Sequence, residues 1–473
     1  MQFNLSASYT DLYEIAMGQA LFQAGQHEKP SVFDYFFRKL PFGGGYAIFA
    51  GLGTLLEALE GWRFTAQDLD QLAAAGFDPA YIAYLKELRF RCSVHSVPEG
   101  EVVFPTEPLL RVEGSLIEAQ VIETLLLNLV NYQSLVATRA ARIRSVAGDA
   151  VLSEFGLRRA HGPGGILAAR AAVVGGFDST SNVYAAQLYG LKAEGTMAHS
   201  FVQWYDDELA AFRAFAEARP HNTVLLVDTY DTLRSGIPNA ITVAREMRER
   251  GHRLRAVRLD SGDLAFFSRR ARAMLDAAGL PEVKIVASNQ LDEYVIRSLR
   301  QQHAPIDIYG VGTSLVAVPP DAALDGVYKL AVADGAPRLK VSESLTKTTL
   351  PGRKQVYRFF DDAGQFSGAD GVALDNRGAP GRLIHPFESY KTMSSAHLRG
   401  EPLLHPVMKH GRRIGPAPTL DEVRQHSAAR IALLPAEFLR FENPHTYKVG
   451  LSEDLHVLRE HLRLTHKPGT PTT

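Results

Sequence analysis

The feature that most constrains this chain is a rhythm in its middle. Four times an apolar run ends in a polar cluster, a helical pattern follows, and the next apolar run begins. Residues 224–227 end at Asp228-Thr229-Tyr230-Asp231, and 254–259 at Asp260-Ser261-Gly262-Asp263. Residues 283–287 end at Ser288-Asn289, and 306–309 at Gly310-Val311-Gly312-Thr313. Pro238 marks one helix start, and Gly251 and Gly279 mark helix ends. Short runs alternating with helices imply parallel strands, because parallel neighbours need a long crossover. The polar clusters then fall at the carboxyl ends of the strands. Both (β/α) barrels and open doubly wound sheets bind ligands there, so periodicity alone does not choose between them.

Elsewhere the rhythm is missing. Residues 55–75 and 80–90 read as helices, and 92–114 as short strands broken by Pro98, Pro105 and Pro108. Ser115-Leu116-Ile117-Glu118 fits a capping box that opens a long helix, with Ile117, Val121, Leu125 and Leu129 as its apolar stripe. After residue 335, the segment 340–358 is polar and basic, 364–381 reads as loop, 428–441 as helix and 466–473 as a disordered tail.

At 473 residues the chain exceeds one ordinary core, and 46% apolar with 22% charged residues marks it as folded. A formal charge of -1 lacks the basic excess of a nucleic-acid scaffold. Cys92 is the only cysteine, which excludes an internal disulfide or a thiolate cluster; a small buried hydrophobe is its expected role. No spaced His or Cys cluster calls for zinc. The N-terminus lacks a basic-plus-apolar leader, and the most apolar stretch, 124–138, is shorter than the ~18 residues that span a bilayer. A cytoplasmic location is the expectation.

Asp228, Asp231, Asp260 and Asp263 place four carboxylates on two strand-end loops, where convergent carboxylates hold Mg²⁺ or sugar hydroxyls. Any one of them could instead cap the helix that follows. Arg258 projects to the same side as Asp260. Gly310 and Gly312 let backbone amides approach a phosphate, although tight turns use glycine too. No G-x-x-x-x-G-K-[ST] string exists, so a P-loop is excluded, and Gly43-Gly44-Gly45 reads as a turn. In Glu194-Gly195-Thr196-Met197-Ala198-His199-Ser200-Phe201, the His199 imidazole could be a nucleophile if a carboxylate held its other nitrogen. Out of context, an ordinary hydrogen-bonded histidine is the commoner case. Glu154-Phe155-Gly156-Leu157-Arg158-Arg159 joins an aromatic face to two guanidinium forks, which suit carboxylate or phosphate. The alternative there is a surface arginine pair.

Together with Thr10-Asp11-Leu12-Tyr13, Phe36-Phe37-Arg38-Lys39-Leu40-Pro41 and Tyr328-Lys329-Leu330, these strings resemble the nicotinate phosphoribosyltransferases. The matches run in order from residue 10 to about 358, and no single short motif carries them. The resemblance implies an α/β chain: an irregular (β/α) barrel flanked by an N-terminal α/β domain and a C-terminal extension. The expected bounds are 1–145, 146–335 and 336–473, the last packing on the other two. It also implies a homodimer with shared active sites. The implied partners are nicotinate, phosphoribosyl pyrophosphate and ATP, with Mg²⁺ as cofactor; neither nucleic acid nor membrane is expected.

Carried over by residue, His199 matches the histidine that ATP phosphorylates, with Asp228 as its carboxylate partner. Tyr13, from the neighbouring subunit, and Phe155 match the aromatic faces around the pyridine ring. Thr196 and Arg258 match positions lining the nicotinate site, and Arg158 is a further candidate for its carboxylate. Gly310, Gly312 and Thr313 are expected at the ribose 5-phosphate, and Asp260 at the ribose hydroxyls or Mg²⁺. Lys340, Lys347, Arg353 and Lys354 are expected to close over pyrophosphate. Related nicotinamide-using enzymes carry an aspartate where this chain has Met197, which implies a preference for the acid over the amide. The alternatives are a nicotinamide or quinolinate phosphoribosyltransferase, or a phosphosugar-binding barrel without catalysis.

Overall fold

A computed structural model describes residues 5–341 and 349–465. Lys347 and the tail 466–473 lie outside the described residues. The chain forms two compact units. One holds the residues up to Thr138 with those from Ala323 onward; the other is Arg139–Ala322.

The second unit is built on six parallel strands: Val151–Glu154, Ser179–Thr180, Val224–Leu226, Ala256–Leu259, Lys284–Ser288 and Ile308–Val311. Their pairing resolves what periodicity left open. Consecutive strands are neighbours except at one seam, and the last of the six pairs with the first, Ile308 beside Val151 and Val311 beside Glu154. A doubly wound sheet would reverse its order at a switch point. Here the order runs round a ring, a barrel whose seam lies between Ser179–Thr180 and Val224–Leu226. The four rhythmic apolar runs are four of its strands, and Pro238 opens the helix Ile237–Glu249 as expected.

Side chains alternate across each strand. On one face Leu225, Val257, Ile285 and Tyr309 are fully buried. On the other, Val224, Ala256 and Val286 form a small apolar layer with Ile308 packed on it. Two residues further along the last three strands, that same face carries Arg258, Ser288 and Gly310. An apolar floor therefore lies beneath a polar rim.

The first unit joins both ends of the chain. In its seven-stranded sheet Pro30–Phe37 lies between Leu110–Ser115 and Gly326–Ala333, antiparallel to both. A six-stranded sheet contains Lys354–Phe360, Phe366–Leu374 and Lys448–Leu451. Several expectations for this unit need correction. Residues 55–75 are two helices, Leu52–Glu60 and Ala66–Ala74, and the capping box belongs to the second, between Thr65 and Asp68. Ser115 makes no side-chain cap, because Glu118 instead accepts from the Arg91 amide at 2.5 Å. The segment 366–374 is a strand despite its glycines: its Asp370 faces inward to pair with Arg358. The expected helix at 428–441 ends at Ala432, with a short 3₁₀ turn at Ala436–Phe438. No described helix is long and apolar enough to cross a membrane.

Candidate active site

The string around His199 starts on the strand Ser179–Thr180, where the Glu194 amide donates to the Thr180 carbonyl at 2.9 Å, and side chains tie it to the strand Ala256–Leu259. At the foot, Arg255 donates to Glu194 through both Nη atoms at 2.7 and 2.9 Å. Midway, Arg258 Nη1 donates to the Thr196 hydroxyl at 2.8 Å and reaches the Met197 carbonyl at 3.5 Å. At the top, His199 Nε2 stands 3.7 Å from Asp260 Oδ2 and 4.0 Å from Asp228 Oδ1. These separations are too long for hydrogen bonds. The other ring nitrogen, Nδ1, lies 3.1 Å from the Thr229 hydroxyl. His199 keeps 40% of its side chain exposed, whereas Asp228 keeps 2%.

Asp228 reaches across to the next loop. Its Oδ2 accepts from the Asp260 amide at 2.8 Å and the Ser261 hydroxyl at 2.6 Å, while its Oδ1 is buried with no hydrogen-bond partner among the described residues. Asp260 accepts from Arg258 Nη2 at 2.8 Å and from the Ser288 hydroxyl. Burial alone would raise the Asp260 carboxyl; the Arg258 charge, the hydrogen bonds from Ser288 and Arg258, and His199 together hold it below its ordinary value.

The four strand-end aspartates thus divide. Asp231 and Asp263 cap helical turns, accepting from Leu233 and Arg234 and from Phe266. Asp228 and Asp260 cap nothing and face the histidine. Thr229 and Ser288 complete the constellation, although sequence reasoning assigned them no role. Their signal was position: each stands in a polar cluster at a strand end.

Arg258 is almost fully committed. Nε donates to Ser288 at 2.8 Å, Nη1 to Thr196 and Nη2 to Asp260, and the guanidinium carbon lies 5.7 Å from the Phe155 ring centroid. Phe155 lies over Gly310, where a Cβ would come within 2.5 Å of the ring, so no side chain fits beneath it. Gly312 follows and opens the short helix Thr313–Val316. The first amides of such a turn have no partner within it. Arg158 is exposed on the turn after Val151–Glu154 and makes no hydrogen bond or ion pair among the described residues.

Tyr13 belongs to the other unit, half exposed on the helix Leu12–Gln23. In the basic segment of that unit, Lys354 is buried and donates to Asp34 at 2.7 Å, and Arg353 pairs with Glu113. Both are taken up by the fold of the unit.

Family models for the N-terminal and C-terminal domains of nicotinate phosphoribosyltransferase match residues 9–131 and 353–459. The nicotinate phosphoribosyltransferase of Bacillus subtilis is 44% identical over 94% of this chain and 93% of its own length. The crystal structure of human nicotinic acid phosphoribosyltransferase superposes with a TM-score of 0.86 at 35% identity, covering 96% of this chain and 99% of that one. Nicotinate-nucleotide pyrophosphorylase from Pyrococcus furiosus follows at 0.70 and 25% identity, over 90% and 95% of the two chains.

Proposed function

Because this chain belongs to the nicotinate phosphoribosyltransferase family, we propose that it joins nicotinate to phosphoribosyl pyrophosphate at the barrel rim. The products are nicotinate mononucleotide, for NAD salvage, and pyrophosphate. ATP hydrolysis is coupled to the transfer through phosphorylation of His199. The observation that carries this reading is the linked set of His199, at the start of the short helix His199–Gln203, with Asp228, Arg258 and Asp260 on adjacent strand ends.

The pyridine nitrogen forms its bond to ribose C1 as the C1–O bond to pyrophosphate breaks and the electron pair leaves with the oxygen. That nitrogen carries no proton, so the chemistry asks for alignment and charge stabilisation more than for a base. Phe155 offers its ring to the pyridine, and Tyr13 of a second copy would close the other side. Arg258, with most of its donors spent, acts chiefly by holding Thr196 and Asp260 in place. The Thr196 hydroxyl and the remaining Arg258 N–H meet the nicotinate carboxylate, and Arg158 brings a guanidinium fork without a competing partner. Gly310, Gly312 and Thr313 receive the 5-phosphate, and Asp260 the ribose hydroxyls.

Mg²⁺ usually binds through one or two carboxylates plus substrate phosphates. The described residues hold no group of three or more His, Cys, Asp or Glu that would cage a metal, but Asp260 and the unpartnered Asp228 Oδ1 fit a cation arriving with phosphate. Such an ion would neutralise charge on the departing pyrophosphate.

For the ATP step, a proton on Nε2 facing the two carboxylates leaves the Nδ1 lone pair as phosphoryl acceptor, in the place where Thr229 now bonds. The N–P bond forms as the γ-phosphoryl bond breaks and ADP leaves; water later releases phosphate. The charged histidine favours the product-forming state by differential affinity.

The test is an assay with phosphoribosyl pyrophosphate, Mg²⁺ and either base, with and without ATP. Turnover should favour nicotinate over nicotinamide, since Met197 is neutral and 5% exposed, and should rise with ATP. His199→Ala should abolish the ATP stimulation and spare some ATP-independent transfer. Undiminished ATP stimulation in that variant would refute the phosphohistidine, and equal turnover of the two bases would refute the specificity.

A further inference from the structure

The first unit ends in the helix Glu453–Thr465, whose buried residues are Leu455 and, one turn on, Arg459. An arginine on a core-facing stripe is unusual, because charged side chains are seldom fully buried unless paired. Arg459 is only 6% exposed, and its Nε is shut off from solvent with no hydrogen-bond partner among the described residues.

His456 and Arg463 flank it at three residues before and four after, which puts all three on one face of the helix. His456 Nδ1 and Arg463 Nε are likewise buried and without a hydrogen-bond partner. The three side chains line a cavity of about 180 Å³, closed on its other wall by Pro386, Phe387 and Ser389. Glu460 is the one carboxylate in the lining, 3.1 Å from Arg459 Nη2 and 2.7 Å from Arg463 Nη2. Two guanidinium groups against one carboxylate leave the cavity positive.

Buried guanidinium N–H groups without acceptors are costly, and two arginines lining one cavity, with a histidine that adds a donor when protonated, are what a multi-oxygen anion can satisfy at once. A phosphate group offers several strong acceptors around a compact centre, a better match to donors from three side chains than a planar carboxylate. We propose that this cavity of the first unit is a second anion site, which takes a phosphate group either free or carried on a small metabolite. Its apolar wall, Pro386 and Phe387, gives a metabolite something to rest on.

His456 supplies the readout. Burial first, then the charge of Arg459, keeps its imidazole below the ordinary histidine value, with Glu460 opposing and Arg463 reinforcing the depression. The facing wall carries no titratable group, only Pro386, Phe387 and Ser389. A phosphate seated here would shift the His456 midpoint upward.

The experiment follows the His456 ring by NMR in the full-length protein, with the signal assigned through His456→Gln. Inorganic phosphate or ribose 5-phosphate is added against chloride at equal ionic strength. The expected result is a saturable upward move of the His456 midpoint, with phosphate affinity weakened about tenfold in Arg463→Gln, the more exposed of the two arginines. Ribose 5-phosphate acting at lower concentration than phosphate would identify a metabolite site, and the reverse order a free-phosphate site. A midpoint that neither anion moves would overturn the proposal. So would an equal response in Arg463→Gln.

Discussion

Arg358 in one unit and Arg258 in the other each lie against an aspartate, at 2.7 and 2.8 Å, and each has aromatic rings within reach. Around Arg358 all three guanidinium nitrogens are bound and no solvent reaches them. Asp370 takes Nη2, Glu101 takes Nη1, and Glu101 is shared with Arg430 at 2.8 Å; Tyr447 donates to Asp370 at 3.0 Å. Arg358, Asp370 and Glu107 have no solvent exposure, and Phe366 and Phe104 lie 4.6 and 5.3 Å from the guanidinium. Around Arg258 the guanidinium is also bound, yet the network has loose ends. Asp228 Oδ1 lacks a partner, Asp260 is a quarter exposed, and His199 faces both carboxylates without bonding either. Closed networks fix a fold; open ones keep capacity for a ligand. The difference lies in solvent access, since both clusters use the same residue types and each leaves a buried carboxylate oxygen without a hydrogen-bond partner among the described residues.

The widest separation between the two clusters is expected from the closed one. Arg358→Leu should strip the counter-charge from Glu101 and Asp370 while they stay buried, at a cost of about 3–5 kcal/mol. Thermal or urea unfolding would show it, and a loss below about 1 kcal/mol would contradict a structural role. Arg258→Gln should do the reverse. It releases Thr196 and Asp260 and should lower kcat/KM for nicotinate on the order of a hundredfold. Its unfolding midpoint should fall much less than that of Arg358→Leu. Equal destabilisation by the two substitutions would erase the distinction.

The two clusters were not equally legible in the amino-acid order. His199, Asp228, Arg258 and Asp260 stand in short strings at strand ends, so a local rhythm and a resemblance between strings pointed to them. The partners of Arg358 come from positions 101 and 370, Arg430 shares Glu101, and no local pattern links those. The parallel sheet was visible because strands alternate with helices along the chain, whereas the barrel came only from the resemblance and the strand pairing. The C-terminal sheet was not, because Phe366–Leu374 reads as loop until Arg358 supplies a reason for Asp370 to face inward. Asp231 and Asp263 show the opposite limit. Their sequence setting matches that of Asp228 and Asp260, and only the fold separates caps from site residues.

The finest distinction falls inside the closed cluster, between two glutamates. For Glu101, burial would raise the carboxyl, but Arg358, His426 and Arg430 outweigh it and hold it at about 2. Its stabilising effect is therefore complete above the ordinary value of 4.5 and is lost as pH falls from there toward 2. Glu107 has the opposite sign. Burial first and the Asp370 charge second push it well above 4.5, so its contribution is complete at low pH and lost as pH rises through the shifted value. Its Oε1 accepts from the Phe104 amide at 2.8 Å, while Oε2 has no hydrogen-bond partner. A glutamine there keeps the acceptor and replaces the strained acid with a neutral amide that can donate to Asp370. Glu107→Gln should therefore change stability at pH 7 by less than about 0.5 kcal/mol, or raise it, and any advantage should shrink as pH falls through the raised value and the native acid takes up its proton. Glu101→Gln should instead cost about 3 kcal/mol at pH 7, because it leaves two arginines short of a counter-charge. Urea unfolding of both variants at pH 7 and pH 5 compares them directly. Matching losses at pH 7 would mean that Glu107 carries a full charge in the folded protein and that the cluster is balanced differently.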